Sequence, residues 1–187
     1  MNLDTVLGRT DSPTVLDEII ALRKHTSVRA KGVSQSGRSH YQFVAQLDAK
    51  AQAWHLVDDE GRRSSAVGTW RLHEGDASTV FVFPRGMPET VQLLYPEALL
   101  MWGRRGESFY PVLLQEIGRR SLLITFEHVE DPAFRATAVV NRSTGIIEKL
   151  AVLGDIVILA DVEIGVQLDP EIMPEFLPIT DWIRPDY

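Results

Sequence analysis

Residues 121–168 form a series of short segments in which apolar and polar side chains alternate. The segments 121–128, 134–140, 146–152 and 156–164 are separated by clusters of Asn, Asp and Gly. Alternation with a period of two is typical of a strand with one buried face, and turn residues between such segments indicate antiparallel pairing. The last third of the chain therefore predicts an antiparallel meander, and this constrains the fold more than any other feature.

The first half of the chain predicts one amphipathic helix followed by further strands. Ser12 is a suitable N-cap, and Pro13 suits the first helical position. Arg23, Lys24 and His25 suit the negative end of the helix dipole. The strands are then predicted at 27–35, 41–47, 53–58 and 66–73, with a short apolar run at 80–83.

The middle of the chain predicts short helices. A helix is expected over 93–102, with Pro96 in its first turn, and a partial helix within 107–118. Residues 169–187 are apolar and rich in proline, so we expect a tail packed along the body. The whole chain, residues 1–187, is expected to form a single domain.

Composition excludes several classes of function. With 187 residues and a formal net charge of −7, the chain lacks the positive surface that nucleic acid requires. No window has the apolar length of a transmembrane segment, and the absence of cysteine excludes disulfides and zinc–thiolate sites. The first residues do not resemble a signal peptide, so the chain as written is expected in the cytoplasm; an upstream signal, if removed, would place it in the cell envelope.

No segment carries a catalytic motif. The sequence has neither a Gly-x-Ser-x-Gly elbow nor a glycine-rich phosphate loop. Residues 127–131 (Glu-His-Val-Glu-Asp) are the best local candidate for a metal, but an acidic strand end entering a turn explains them better. Residues 58–60 are similarly explained as the tip of a hairpin. We therefore expect no metal and no cofactor. We expect a non-catalytic protein and keep an enzyme as the third hypothesis, because a catalytic site can be assembled from residues distant in sequence.

Several segments of the second half resemble a known family. These are residues 93–100 (Leu-Leu-Tyr-Pro-Glu-Ala-Leu-Leu), 118–119 (Gly-Arg, opening a strand), 131–137, 140–147 and 168–170 (Leu-Asp-Pro). Their order, after an N-terminal helix and strands, is similar to the lipoprotein-carrier (LolA-like) half-barrel family, especially its actinobacterial relatives. The resemblance implies an α+β fold: a curved antiparallel sheet, or half-barrel, with an N-terminal helix and short middle helices on its concave side.

The same resemblance implies a function without catalytic residues. In this family the space between sheet and helices takes acyl chains or the lipid part of a lipoprotein, whereas related folds in sigma-factor regulators bind protein. Our leading hypothesis is a non-catalytic binding module for a lipid or another apolar ligand; the alternative is a protein-interaction or regulatory module with a filled core. The residues predicted to line the concave face, from their inward phase, are Val28, Ala30, Tyr41, Phe43, Trp54, Trp70 and Leu100.

Overall fold

A ten-stranded antiparallel sheet dominates the structure, a computed structural model that describes residues 3–74, 77–99 and 109–169, with the backbone alone described for 70–74 and 77–79. The strands of this sheet are β1 (Thr5–Val6), β2 (Ser27–Ser36), β3 (Ser39–Asp48), β4 (Ala53–Asp58), β5 (Arg63–Val67), β8 (Phe109–Ile117), β9 (Ser121–His128), β10 (Arg135–Asn141), β11 (Ile147–Val152) and β12 (Asp155–Ile164). A separate hairpin consists of β6 (Thr69–Glu74) and β7 (Ala77–Val82). The described helices are α1 (Ser12–Ile20) and α2 (Glu89–Gln92), with a 3-10 turn at Pro96–Ala98.

The sheet consists of two meanders joined side by side. Strands β2 to β5 pair in chain order, as do β8 to β12, and β12 pairs with β2 to join the two sets. The sheet is open, with β1 and β5 at its edges. The predicted α+β half-barrel, a curved antiparallel sheet with short helices, is confirmed.

The N-terminal helix is confirmed, but its predicted ends are wrong. Asp11, not Ser12, precedes the first helical residue, and its carboxylate accepts a hydrogen bond from the Gly8 amide (2.8 Å). The helix ends at Ile20, so the basic residues from Arg23 onwards follow it instead of lying in its last turn. Val15, Leu16 and Ile19 form the buried stripe that the periodicity predicts.

The predicted helix over 93–102 is wrong for residues 93–99. The helical turns lie at α2, before this range, and at the 3-10 turn that starts at Pro96. Proline lacks an amide hydrogen and its ring clashes with the preceding turn, so one continuous helix cannot form here. Residues 100–102 lie outside the described residues.

Two further predictions need correction. Residues 109–117 form β8 instead of a partial helix, and Pro111 is accommodated beside a register shift between Pro111 and Leu113. The single strand predicted over 66–73 is two strands, β5 and β6, because Gly68 turns the chain with a φ of +61°.

The remaining strands agree closely with the alternating segments. None of the helices in the described ranges has the length and apolar character of a membrane span. One face of the sheet, which we call the inner face, carries the buried apolar side chains; the opposite face is the outer face. Helix α1 lies against β8, and α2 lies against β3 and β4.

Candidate binding face

The structure brings five of the predicted lining residues together on the inner face. Val28 and Ala30 of β2 lie opposite Leu47 and Ala45 of β3, and Trp54 of β4 also lies opposite Leu47. The other two lie further along β3: Phe43 faces Gly32, and Tyr41 faces Ser34.

Four of these five side chains are almost fully enclosed. The exposed fraction is 0% for Val28, 1% for Ala30, 3% for Phe43 and 2% for Trp54. A side chain with so little water-accessible surface borders neither bulk water nor an internal void of water size. Tyr41 is only half-buried and marks the rim of the inner face.

The other two predicted residues do not join this cluster. Trp70 lies on β6 of the separate hairpin, where it pairs with Phe81, and its side chain is not described. Leu100 lies outside the described residues. Their part in a binding face stays a prediction.

The inner face is covered by α1 and by residues 83–99, which we call the middle segment. The buried apolar residues of this cover belong to the same core cluster as the sheet: Val15, Leu16, Ile19, Met87, Val91, Leu93, Leu94, Ala98 and Leu99. Phe83, at the start of the middle segment, packs against Tyr95 of the same segment, with ring centroids 5.2 Å apart. The cover is therefore assembled from short pieces, each anchored mainly by apolar contact.

Arg23 makes the main polar connection between α1 and the middle segment. Its guanidinium forms an ion pair with Glu97, in which Nε donates to Oε1 at 2.8 Å. A second nitrogen donates to the carbonyl of His25 (2.8 Å), and the group stacks over the Tyr95 ring at 4.6 Å. All these groups are partly buried, so the contact is better shielded from water than a surface ion pair.

The turn at residues 141–145 packs against the backbone at Arg23. Gly145 has a φ of +73°, and a Cβ built on it would lie 2.7 Å from the amide nitrogen of Arg23. Two residues later, the amide of Ile147 donates to the carbonyl of Leu93 (3.1 Å). The end of α1, the middle segment and the C-terminal meander therefore meet around Arg23.

Two ionisable groups near the cover have altered pKa values. Glu89 is an exposed residue, but protein surrounds its carboxyl group; this burial, and then the charge of Asp155, raise its pKa. Burial and the neighbouring Arg23 lower the pKa of His25, while Glu97 opposes the shift. Each shift stabilises the neutral form of the group relative to its charged form.

The residues proposed above as a metal candidate have a structural role. The His128 ring packs between Phe109 and Phe134, with centroid distances of 5.2 and 5.5 Å, and its Nδ1 accepts from the Glu130 amide at 3.3 Å. Glu127 pairs with Arg135 at 2.8 Å. Across the described ranges, no three His, Cys, Asp or Glu side chains converge as a metal site would require.

Sequence reasoning missed a buried polar group on the outer face. Gln46 and His55 are cross-strand neighbours there, and both are buried, with 2% and 1% exposure. Burial, and secondly Arg63, lower the pKa of His55 to about 4, although Asp169 opposes this shift. Alternation alone places His55 on the outer face and so predicts exposure; no local signal reports its burial.

Comparison with solved structures places the fold in the half-barrel class. A crystal structure of MucB superposes with a TM-score of 0.55 at 13% identity, covering 87% of this chain and 62% of that one. The complex of Pseudomonas aeruginosa MucA and MucB gives a TM-score of 0.52 at 15% identity, covering 86% and 59%. The chain thus spans about three fifths of the MucB chains that it matches.

A LolA superfamily protein from Nitrosomonas europaea is also similar, with a TM-score of 0.37 at 10% identity over 89% of this chain and 99% of that one. No protein-family model matches the sequence, and no curated protein matches it by sequence. The similarity of fold to the two MucB structures agrees with the antiparallel half-barrel that the sequence resemblance implied.

Proposed function

We propose that the protein is a non-catalytic binding module whose inner sheet face takes an apolar ligand, such as an acyl chain, in place of part of the middle segment. The observation that carries this proposal is the composition of the contact between sheet and cover. Strands β2, β3 and β4 all present apolar side chains to the cover, among them Val28, Phe43 and Trp54.

Replacement of the cover by an acyl chain exchanges one apolar contact for another. Each Leu or Val withdrawn from the sheet loses about 1.5–3 kcal/mol of burial, and a ligand that covers the same area restores a similar amount. Because Val28, Ala30, Phe43 and Trp54 border no void, the cover has to move before a ligand can enter. Tyr41, which is half-buried at the rim, lies where such a ligand would first meet the sheet.

The test is titration of the purified chain with a fluorescent polyene fatty acid, alongside native mass spectrometry and organic extraction. Saturable binding is expected, and Tyr41→Ala should weaken it several-fold because the rim contact is lost. Gln42→Ala is the matched control, since the next residue of β3 faces the other side of the sheet. An unliganded mass together with no saturable binding would rule out the proposal.

A second candidate is a protein-binding module with a filled core. The observation that favours it is the near-complete burial of the four inner residues, together with the exposed apolar pair Val33 and Ile158 on the outer face. The complex between MucA and MucB shows that a protein of similar fold has a protein partner. The net charge of −7 would suit a basic partner.

Site-specific photo-crosslinking in the producing cell tests this candidate. A crosslinking residue at position 33 should yield one discrete adduct, and Ile158→Asp should remove it. The same residue at position 143, in an exposed turn, is the control and should yield none. Adducts at both positions, or at neither, would contradict the second candidate without bearing on the fatty-acid titration.

A further inference from the structure

The outer face of the sheet is covered at β3 and β4. Ala53, Gln46 and His55 all point to this face, and their exposed fractions are 0%, 2% and 1%. The helices and the middle segment pack on the opposite face, so they do not account for this burial. A second cover is needed on the outer face.

The ring nitrogens of His55 indicate that this cover has to supply polar groups. Neither Nδ1 nor Nε2 has a hydrogen-bond partner among the described residues, although the ring is almost completely buried. Leaving a buried polar group unpaired costs about 1–3 kcal/mol, so native proteins rarely do it. The two ring nitrogens therefore indicate an occupant that brings its own polar groups to this surface.

The surroundings of His55 combine positive charge with apolar surface. Arg29 lies across Gln46, and Arg63 is close enough to influence the charge of His55. Neither arginine forms an ion pair with another residue in the described part of the chain, and Arg29 Nε is buried without a partner. The half-buried side chains of Val44 and Val57 lie beside them on the same face. This surface fits an acidic segment that also carries apolar side chains.

The described part of the chain ends on this surface. After β12, the Gly165 amide donates to the carbonyl of Ser27 (2.9 Å), and the Asp169 amide lies 3.4 Å from Oε1 of Gln46. Residues 170–187 continue from that point and carry four acidic side chains and one arginine. They also carry the apolar side chains Ile172, Met173, Phe176, Leu177, Ile179, Trp182 and Ile183.

We propose that residues 170–187 dock in cis on the outer face of β3, β4 and β5, with acidic side chains against Arg29 and Arg63 and apolar side chains over Val44 and Val57. The length is sufficient, because crossing three strands requires roughly 10–15 Å and an extended segment of this size spans about 60 Å. The docked segment shields the row that contains Gln46 and His55 from water. It also occupies a surface that an acidic partner segment would otherwise fit.

Nuclear magnetic resonance on the full chain tests the docking, since the chain has no cysteine of its own. In Ile179→Cys carrying a nitroxide, amide signals of Gln46, His55 and Ser65 should lose intensity, while those of Thr125 and Thr137 on the C-terminal meander should not. Heteronuclear relaxation of the unlabelled chain should show residues 175–183 to be as rigid as the strands.

A charge reversal tests whether residues 170–187 bind the outer face or are only held near it by their attachment at Asp169. Arg63→Glu should lower the rigidity of residues 175–183, because it replaces attraction by repulsion. Arg62→Glu is the matched control, since Arg62 is engaged by Asp58 and Glu60 on the neighbouring turn, and should leave the rigidity unchanged. A mobile tail in the unmodified chain would overturn the proposal, as would a rigid tail whose label broadens signals away from β3 to β5. Neither outcome bears on ligand binding at the inner face.

Discussion

Gly32 lies directly beneath the ring of Phe43 on the inner face, with no room for a side chain. A Cβ at Gly32 would be 2.5 Å from Cζ of Phe43 and 2.6 Å from the carbonyl oxygen of Ile158. Phe43 thereby fills the space in front of β2 that a larger residue would occupy. The absence of a side chain at Gly32 therefore makes room for the neighbouring aromatic ring.

Gly32→Ala should destabilise the fold by about 1–3 kcal/mol, because the added methyl group meets backbone as well as the ring. Chemical denaturation measures this change. Gly8→Ala is the control: its Cβ would meet side-chain oxygens alone, of Asp11 at 3.3 Å and of Thr10 at 3.7 Å, so we expect a change below roughly 0.5 kcal/mol. Equal effects at the two positions would contradict the packing described for Phe43.

Glu97→Gln should loosen the middle segment from α1. The substitution removes the ion pair with Arg23, at a cost of about 1–3 kcal/mol for a partly buried charged hydrogen bond. If the inner face takes an apolar ligand, the same variant should bind the fluorescent fatty acid more tightly, because less work is needed to displace the cover.

Lys31→Gln is the matched control for Glu97→Gln. It removes the exposed ion pair with Asp161, which should contribute less than about 1 kcal/mol and has no connection with the cover. Unchanged or weaker probe binding by Glu97→Gln would show that release of the cover does not limit access to the inner face.

His55 should make the stability depend on pH below neutrality. Its pKa is about 4 in the folded chain and about 6.5 when unfolded, so the buried neutral ring contributes its full stability above pH 6.5. Between pH 6.5 and 4 the unfolded chain binds a proton that the folded chain does not. The free energy of unfolding should therefore decrease as the pH falls, by up to roughly 3 kcal/mol from this group at 1.4 kcal/mol per pKa unit.

Denaturation of His55→Gln at several pH values isolates this contribution. From pH 7.5 to pH 4, the unfolding free energy of the wild type should fall by up to roughly 3 kcal/mol more than that of the variant. His40→Gln changes an exposed histidine of β3 and should preserve the wild-type profile. A wild-type-like pH profile for His55→Gln would show that the ring is not held neutral.

Gly145→Ala should destabilise the fold more than Gly154→Ala. Both glycines have positive φ, so each alanine costs about 1 kcal/mol in backbone conformation. At Gly154 the added methyl group meets nothing within 4 Å, whereas at Gly145 it meets the backbone of Arg23 and Leu22. Thermal unfolding of both variants should separate the steric part, and equal shifts would contradict close contact between this turn and the end of α1.

The strands could be predicted from the sequence because most of them have one buried and one exposed face. Leu122, Ile124 and Phe126, for example, are fully buried while their neighbours on β9 are partly exposed. The secondary-structure prediction was wrong at two segments that contain proline. Pro96 divides a segment with helical spacing, and Pro111 lies in a strand next to a register shift.

The alternation of apolar and polar residues predicts the face of the sheet to which each side chain points. The candidate site could be predicted only to that extent. The alternation places Val28, Ala30, Phe43 and Trp54 on one face, and the structure brings them together there. Whether they line a space or a filled core depends on the middle segment, which is distant in sequence. Gln46, the cross-strand neighbour of His55, likewise meets the amide of Asp169, which lies more than a hundred positions further along the chain.

The pairing of β12 with β2 affects how the chain folds during its synthesis on the ribosome. Strands β2 to β5 can pair as soon as they are synthesised, since each is adjacent in sequence to the next. The partner of β2 on its other side is the last of the described strands to emerge, so β2 keeps an unpaired edge throughout most of translation. Val33 lies on that edge, and its partner Ile158 is synthesised 125 residues later. The nascent chain is therefore most exposed to wrong pairing, and most in need of a chaperone, just before its sheet is completed.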